Sequence, residues 1–528
     1  MKLSPRSRLY YPLAFLAGGL LPLGLAPFNL WWLSIIAVGV FPFLLGSTKG
    51  FLRGWAYGAG VFTVGVSWVY VSLSEHTTAG AIPAGAATAV LGICLGLFFG
   101  LQGYLHQLIP SRLQTSALSM VIWVLLEWIR SWLFTGFPWL YLGYTAQTTA
   151  LFDNFIPIIG IYGCSFIIGL WGVLLTKFII KTAQIKNIKK SLLESKLIVG
   201  VLVLIPALNI VLGEINWVQK TNESLTIALL QGNIAQSDKW NPQEAPKIVY
   251  QYLDMTEKAA FNNADLIIWP EAAIPYLYSE SETALQETRN LITSFPQQPS
   301  LITGILTDDQ PNAKPLPFST PAQPGWPVIR NSVLLLEQQP EQDQLYHKQK
   351  LVPFGEYLPF ADQLVQVFPF LEVFKHGITA GETDQLHIET HNWSFQPLIC
   401  YEIAFPQLAY SESLQNNKLV DAIITVSNDG WFGLSHGPSQ HFQMAQFRAM
   451  ELGRPVIRAT NTGITGIIEP DGYVKETLPR EEKGILYATL KKSEGRTPYT
   501  YLGPYSVLGL ILLVGIISLF MLSKAPRI

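Results

Sequence analysis

The sequence predicts a multi-span α-helical membrane bundle joined to an α/β or α+β sandwich. Three observations predict it. Of 528 residues only 14% are charged and 49% are hydrophobic, and the mean hydropathy is +0.28, outside the ordinary soluble range. Apolar runs of about 20 residues, the length that crosses a hydrocarbon core, crowd the stretch before residue 214 and recur after 503. Between them the chain changes to short β-rich runs alternating with polar helical stretches.

Candidate spans fall near 9–26, 30–46, 54–73, 82–108, 116–135, 155–176, 197–213 and 504–522. The first has a basic start like a signal peptide, but it continues through Pro22 and Pro27 into further spans and is read as retained. Loop charges check the count, because short cytoplasmic loops collect Lys and Arg. Lys2, Arg6 and Arg8, then Lys49 and Arg53, then Arg112, then Lys177, Lys181, Lys186, Lys189, Lys190 and Lys196, then Lys524 and Arg527 all fall on one side of an eight-span chain. The intervening loops carry Glu75 and Asp153; Arg130, near the end of the fifth span, is the exception. Both termini are therefore expected in the cytoplasm and the long polar segment outside it. Aromatic pairs such as Trp31-Trp32 and Trp139-Leu140-Tyr141 read as an interfacial belt. Glu127 is the main ionisable residue inside a span, thin support for a transporter. The net charge of −2 comes with no basic patch, so nothing argues for nucleic acid.

The polar segment, about 222–492, offers strands at 225–231, 265–269, 301–306, 331–337, 395–400, 421–427, 455–460, 464–470 and 485–490, with helices near 243–263, 283–294 and 438–452. That alternation is the basis for the sandwich. Glu469-Pro470-Asp471-Gly472 reads as a hairpin turn, and Pro311 to Pro327 as a surface loop. Residues 351–374 are dense in aromatics, Leu and Val. They are either a core helix with its approach or an apolar arm facing lipid.

Cys94 and Cys164 sit in apolar runs, so Cys400 is the lone thiol of the polar segment. A lone Cys is often a small buried hydrophobe. As a nucleophile it needs a base, since a free thiol with pKa near 8.5 is only about 3% thiolate at pH 7. The eight histidines form no Cys-His-Asn pattern and no HExxH; His436 and His441 flank a helix start and read as structural. Glu271 follows a strand and Glu402 lies two residues past the cysteine; each alone is explained as well by a helix first turn. Lys348, alone a surface lysine, would near the sulfur stabilise an oxyanion. Together, Glu, Lys and Cys at three strand ends supply base, electrophilic stabiliser and nucleophile.

The motifs WPE (269–271), YHK (346–348), LVPFGE (351–356), ICYE (399–402), SNDGWFG (427–433) and GPSQHFQMAQFRAMELGRPVIRATNTG (437–463) resemble the nitrilase superfamily. Joined to spans on both sides, they resemble its apolipoprotein N-acyltransferase family. The resemblance implies an extracytoplasmic nitrilase-like α-β-β-α sandwich at 222–492, after a bundle of about seven helices at 1–221 and before a C-terminal helix and cytoplasmic tail at 493–528. It implies a catalytic triad of Glu271, Lys348 and Cys400, with supporting roles for Glu356, Tyr401 and Glu402, and for Trp240 on a shorter match. Lys350 competes for the lysine role, but the step from Lys348 to Glu356 fits the family spacing. No cofactor or metal is expected. The implied location is the bacterial cytoplasmic (inner) membrane. The implied reaction moves an acyl chain from a phospholipid donor, phosphatidylethanolamine, through a cysteine thioester to the α-amine of a diacylated apolipoprotein acceptor, both partners lying in the lipid bilayer. A membrane-tethered amidase with the same triad, and a transporter with an accessory domain, are the alternatives.

Overall fold

The structure is a computed structural model that describes residues 8–46, 48–77, 80–110, 113–308, 328–367 and 377–523. The expected loop at 311–327, the distal part of the apolar stretch (368–374), and Lys2, Arg6, Arg112, Lys524 and Arg527 lie outside the described residues. By its contacts the chain divides into two units, one of Met1–Trp217, Phe432–Gln443 and Arg496–Ile528, the other of Val218–Trp431 and Met444–Gly495.

The first unit is helical: α1 (Tyr10–Leu20), α2 (Trp31–Leu45), α3 (Gly50–Gly65), α4 (Trp68–His76), α5 (Ala81–Leu108), α6 (Ser116–Arg130), α7 (Ile156–Ile185), α8 (Ile188–Glu194) and α9 (Lys196–Gly213). Each expected span overlaps one of these helices or the last helix of the chain, except 54–73, which is divided between α3 and α4. By length and composition, however, only four of the described helices are apolar enough to cross a membrane: Ala81–Leu108, Asp153–Ile185, Lys196–Gly213 and Pro498–Met521. The pair α3 and α4, bent by 54°, would make a fifth. The helix α6, which carries Glu127 and Arg130, falls short because it is only 15 residues long. Arg130, the exception among the loop charges, is buried and donates to the carbonyls of Phe137 and Trp139. Glu127 accepts from Trp123 Nε1 and Leu142 N, both at 2.9 Å. These two charges satisfy the backbone of an irregular stretch in a place where an unpaired polar group would be costly.

Glycines let α3 and α5 approach closely, as small residues do between membrane helices. A Cβ on Gly58 would lie 2.7 Å from Gly96 Cα, and one on Gly96 2.7 Å from Ala59 N.

The second unit holds two six-stranded sheets. One runs, in spatial order, Gly484–Gly495 (β14), Val218–Gln231 (β1), Leu266–Ile268 (β2), Ser300–Thr307 (β3), Arg330–Leu336 (β4) and Gln344–His347 (β5). The other runs Val474–Thr477 (β13), Gly466–Ile468 (β12), Val456–Thr460 (β11), Ala422–Ser427 (β10), Trp393–Ile399 (β7) and Ile388–Thr390 (β6). A two-stranded hairpin, Leu414–Gln415 (β8) with Lys418–Leu419 (β9), stands apart. The central strands β1, β2 and β3 pair in parallel, as do β7, β10 and β11; the flanking strands are antiparallel.

Both faces of the central strands are buried, which is why they read as continuous apolar runs. One core lies between the sheets and joins Ile227, Ile268 and Val333 to Phe395, Ile424 and Ile457. A second packs Ala228, Ile267 and Leu334 against Ile248, Tyr252 and Met255 of helix α11 (Ala245–Phe261), which follows the short α10 (Gln236–Lys239), and against Leu285 and Ile292 of α12 (Glu282–Thr293). Later in the chain come α13 (Ala361–Val367), α14 (Pro406–Ser411) and α15 (Gly437–Leu452), and last α16 (Pro498–Ser523), which belongs to the first unit, as does the start of α15. The turn read at Glu469 to Gly472 joins β12 to β13, with Gly472 at φ 83° and its N–H donating to Glu469 O. In the stretch 351–367, Leu351, Leu358 and Ala361 are buried while Phe354 is 71% and Phe360 42% exposed, so its described part is mixed, neither wholly core nor wholly exposed.

Replacing Gly58 by Val should push α3 from α5. Overpacking of this kind costs about 1–3 kcal/mol, and the expected result is a lower thermal denaturation midpoint in detergent than for the unaltered chain.

Candidate active site

Strand β2 ends just before Trp269, whose ring stacks on Tyr252 of α11 and whose Nε1 donates to Thr256 Oγ1 at 2.9 Å. The tryptophan of the WPE motif is thus a core anchor, and it delivers Glu271 at a fixed point beyond the strand. No helix begins there, so Glu271 is not a first-turn residue. Gly304 on β3 permits the close approach: a Cβ at that position would meet Glu271 Cα at 2.6 Å. Glu271 is buried. Its Oε2 accepts from the Asn428 backbone N–H at 2.7 Å, and its Oε1 from Asn331 Nδ2 at 2.7 Å.

Lys348 follows β5, is 1% exposed, and its backbone N–H continues the pairing to Asn331 O. Its Nζ lies 2.8 Å from Glu356 Oε1 and 3.5 Å from Glu271 Oε1. Glu356 in turn accepts from Val352 N at 2.7 Å and from Asn331 Nδ2 at 3.0 Å. Burial alone would lower the lysine's pKa, but Glu356 and Glu271 overcome it and hold the ammonium above the usual lysine range. The rival Lys350 points elsewhere, its Nζ 5.8 Å from the Phe405 ring centroid.

Cys400 comes directly after β7 and opens a 3₁₀ turn, Cys400–Ala404. Its φ of 51° lies in the left-handed region, a conformation that costs a non-glycine residue about 1–3 kcal/mol and that clusters at functional sites. Burial pushes the thiol up to about 12, with Glu271 adding to the shift and Lys348 opposing it. Asp429 adds a further negative charge, tempered by its own pair with Arg458, both fully buried at 2.7 Å. Ser427 Oγ donates to Asp429 Oδ1 at 2.7 Å.

Glu402 is fully buried and ties the two sheets' strand ends together. Its Oε1 accepts from Gln349 N at 2.6 Å and Lys350 N at 3.1 Å, its Oε2 from Ile399 N at 2.7 Å, and Tyr346 OH lies 3.2 Å from both. Burial raises its pKa to about 7 against these hydrogen bonds. The carboxylate therefore holds the residue after Lys348 and the residue before Cys400 in one grip. Tyr401 is buried edge-on against Phe405. Trp240 is 48% exposed.

Two residues of the cluster escaped the sequence reading. Asn331 lies inside a run read only as a strand, and Lys239, the neighbour of Trp240, donates to Glu271 O at 2.8 Å. Elsewhere, His436 bonds Gly65 O within the helical unit, at 3.2 Å.

A carboxylate beside an ammonium, with a thiol at a sharp turn, is an arrangement that can carry out acyl transfer through a thioester. Its rigidity rests on Glu402. An unpaired buried donor costs about 1–3 kcal/mol, so Glu402→Leu, which orphans the amides of Gln349, Lys350 and Ile399, should lower the unfolding free energy by several kcal/mol. Glu402→Gln, which keeps one accepting oxygen, should lose less; urea denaturation of the two variants checks the order.

Residues 226–499 match the family model described as carbon-nitrogen hydrolase, and residues 17–174 the one described as apolipoprotein N-acyltransferase N-terminal domain. The apolipoprotein N-acyltransferase of Pseudomonas syringae pv. tomato is 36% identical over 93% of this chain and 92% of its own. That of Azotobacter vinelandii is 34% identical over 95% and 93%. The solved carbon-nitrogen hydrolase of Helicobacter pylori G27 aligns at 14% identity over 58% of this chain and 95% of that one, with a TM-score of 0.37. Matched in both its helical and its sandwich parts by relatives of this identity, the chain belongs to the apolipoprotein N-acyltransferase family.

Proposed function

We propose that this enzyme moves an acyl chain from a membrane phospholipid to a lipoprotein N-terminus by way of a thioester on Cys400. What supports the reading is that Lys348 Nζ and Glu271 Oε1 meet at 3.5 Å after separate strands, and that both charges bear on the Cys400 thiol, Glu271 raising its pKa and Lys348 opposing the rise. Supporting it, the relatives are named for transfer to apolipoproteins.

In the first half-reaction Glu271 takes the Cys400 proton as the sulfur attacks the sn-1 ester carbonyl of phosphatidylethanolamine. A thiol near 12 is scarcely ionised at neutral pH, so proton removal has to accompany attack. Lys348, with the Tyr401 backbone N–H, faces the oxyanion. The C–O bond breaks, Glu271 returns the proton to the leaving oxygen, and a lysophospholipid departs. In the second, the α-amine of the diacylglyceryl-cysteine attacks the thioester, the C–N bond forms, the C–S bond breaks, and the amine proton passes through Glu271 to the thiolate. An α-amine of pKa near 8 is substantially neutral at physiological pH, whereas a lysine near 10.4 is almost wholly protonated. That difference favours the N-terminal amine.

Glu356 holds Lys348, Glu402 and Tyr401 fix the turn around Cys400, and Trp240 lies near the approach. The domain scheme is a bundle at 1–221, the catalytic part at 222–492 and a last helix at 493–528. With it goes an inner-membrane topology in which both termini are cytoplasmic and the catalytic part extracytoplasmic, supported by the one-sided Lys and Arg of the short loops. Lipid-anchored donor and acceptor both need such a platform, whereas a small-amide hydrolase does not.

Mass spectrometry of the protein incubated with phospholipid and no acceptor should find an acyl mass on the Cys400 peptide; an unmodified peptide would sink the transferase reading in favour of a tethered amidase. Cys400→Ala should abolish acyl transfer, and Glu271→Gln should block thioester formation in a folded protein. Lys348→Ala should slow the first half-reaction by about 10² to 10³, the usual loss of one oxyanion donor.

A further inference from the structure

Glu271 has a second cation against it that the triad does not use. Lys239, the last residue of α10, is 3% exposed, and its Nζ donates to the Glu271 carbonyl at 2.8 Å. The same short helix is tied to the Glu271 carboxylate by another route. Gln236 Oε1 accepts from Asn428 Nδ2 at 2.8 Å, and the Asn428 N–H donates to Glu271 Oε2. Asn461 secures the approach to the helix, donating to Ile234 O and accepting from Ile234 N.

A neutral donor would satisfy the Glu271 carbonyl without the desolvation cost of a buried ammonium, so the charge itself calls for a reason. The groups facing this point supply one. Glu271 and Glu356 are two buried carboxylates, and Lys348, held at 2.8 Å by Glu356, is the one ammonium of the triad. Asp429 has its own partner in Arg458. Glu402, a buried carboxyl raised to about 7, adds to the negative side as it ionises, so without Lys239 the cluster around the thiol carries at least one negative charge in excess, which opposes the negative charge that must build on sulfur and then on oxygen.

We propose that Lys239 is a positioning residue that fixes the Glu271 main chain and, as a cation, balances the second carboxylate so that negative charge can develop at Cys400. The inference rests on the catalytic reading of Cys400 and Glu271. Burial lowers the Lys239 ammonium to about 8, with the Glu271 and Cys400 charges pulling it back upward. The cation is therefore present below about pH 8 and lost above it.

That titration gives the test a signature that a purely structural lysine lacks. The rate of Cys400 alkylation by iodoacetamide is measured on the full chain in detergent by peptide mass, so that Cys94 and Cys164 do not contribute. Unaltered protein is compared with Lys239→Gln, Lys239→Met and Lys239→Arg. One pKa unit is a factor of ten, so the unaltered protein should outpace both neutral variants by about tenfold at about pH 7, and the gap should close by about pH 9.5. The Arg variant, charged throughout, should keep its lead over the neutral variants across the range. A ratio between unaltered and neutral forms that stays constant with pH overturns the proposal, as does an Arg variant that behaves like Gln and Met. Either neutral variant suffices if the other does not fold. Should Cys400 be fully alkylated while acyl transfer continues, the nucleophile assignment fails instead, whatever the Lys239 ratios show.

Discussion

A buried carboxylate survives ionised only where cations and hydrogen-bond donors meet it, and the catalytic unit is arranged around that requirement. Glu271 and Glu356 share Asn331 and Lys348, and Glu271 also receives the Asn428 amide. The donors come from both sheets: Asn331 from β4, Lys348 from beyond β5, Asn428 from the end of β10. Strand register is what brings them together. A slip of one residue would turn each side chain to the opposite face, and the apolar core between the sheets, from Ile227 and Val333 to Phe395 and Ile424, opposes any slip. The charged cluster is thus held by hydrophobic packing.

The same core sustains the local strain. Cys400 and Ala272, one residue past Glu271, both adopt positive φ, at 51° and 46°. Neither is glycine, so each conformation costs free energy that the surroundings must offset. At Cys400 the offset is visible in Glu402, whose carboxylate accepts the Ile399 amide on one side of the turn and the Gln349 and Lys350 amides on the other. Glu402, which taken alone reads as a first-turn residue and to which the resemblance gives a supporting role, does occupy a first turn, and it also crosses to the second sheet.

How much of this was legible follows from the range of each interaction. The central strands were readable because burial on both faces leaves uninterrupted apolar runs. β5, β6 and β13 were not, being edge pieces of three or four residues, such as Gln344–His347, too short for their mixed polar and apolar residues to show a pattern. Glu271, Lys348, Cys400 and Glu356 stood out through motifs. Asn331 did not, because a polar residue at the head of "RNSVLLL" looks like a strand end until its partners, 60 and 25 residues away, are known. Lys239 was hidden by its neighbour: Trp240 drew the eye, yet the tryptophan is half exposed while the lysine is buried on Glu271. Within the helical unit, hydropathy located the helices but not their lengths. Bends such as that between α3 and α4, and a buried Arg130 serving backbone carbonyls, depend on tertiary partners.

The raised thiol bears on the fate of the proposed intermediate. A thiolate of high basicity is a strong nucleophile but a poor leaving group, so a thioester on such a cysteine resists casual breakdown until a proton is supplied to sulfur as it departs. In the proposed reaction Glu271 supplies it, and it holds that proton only after taking one from an attacking nucleophile. Attack and release are then coupled through a single carboxyl group. An acyl chain waiting for a membrane-anchored amine needs that coupling, because donor and acceptor arrive separately and the intermediate has to outlast the interval between them.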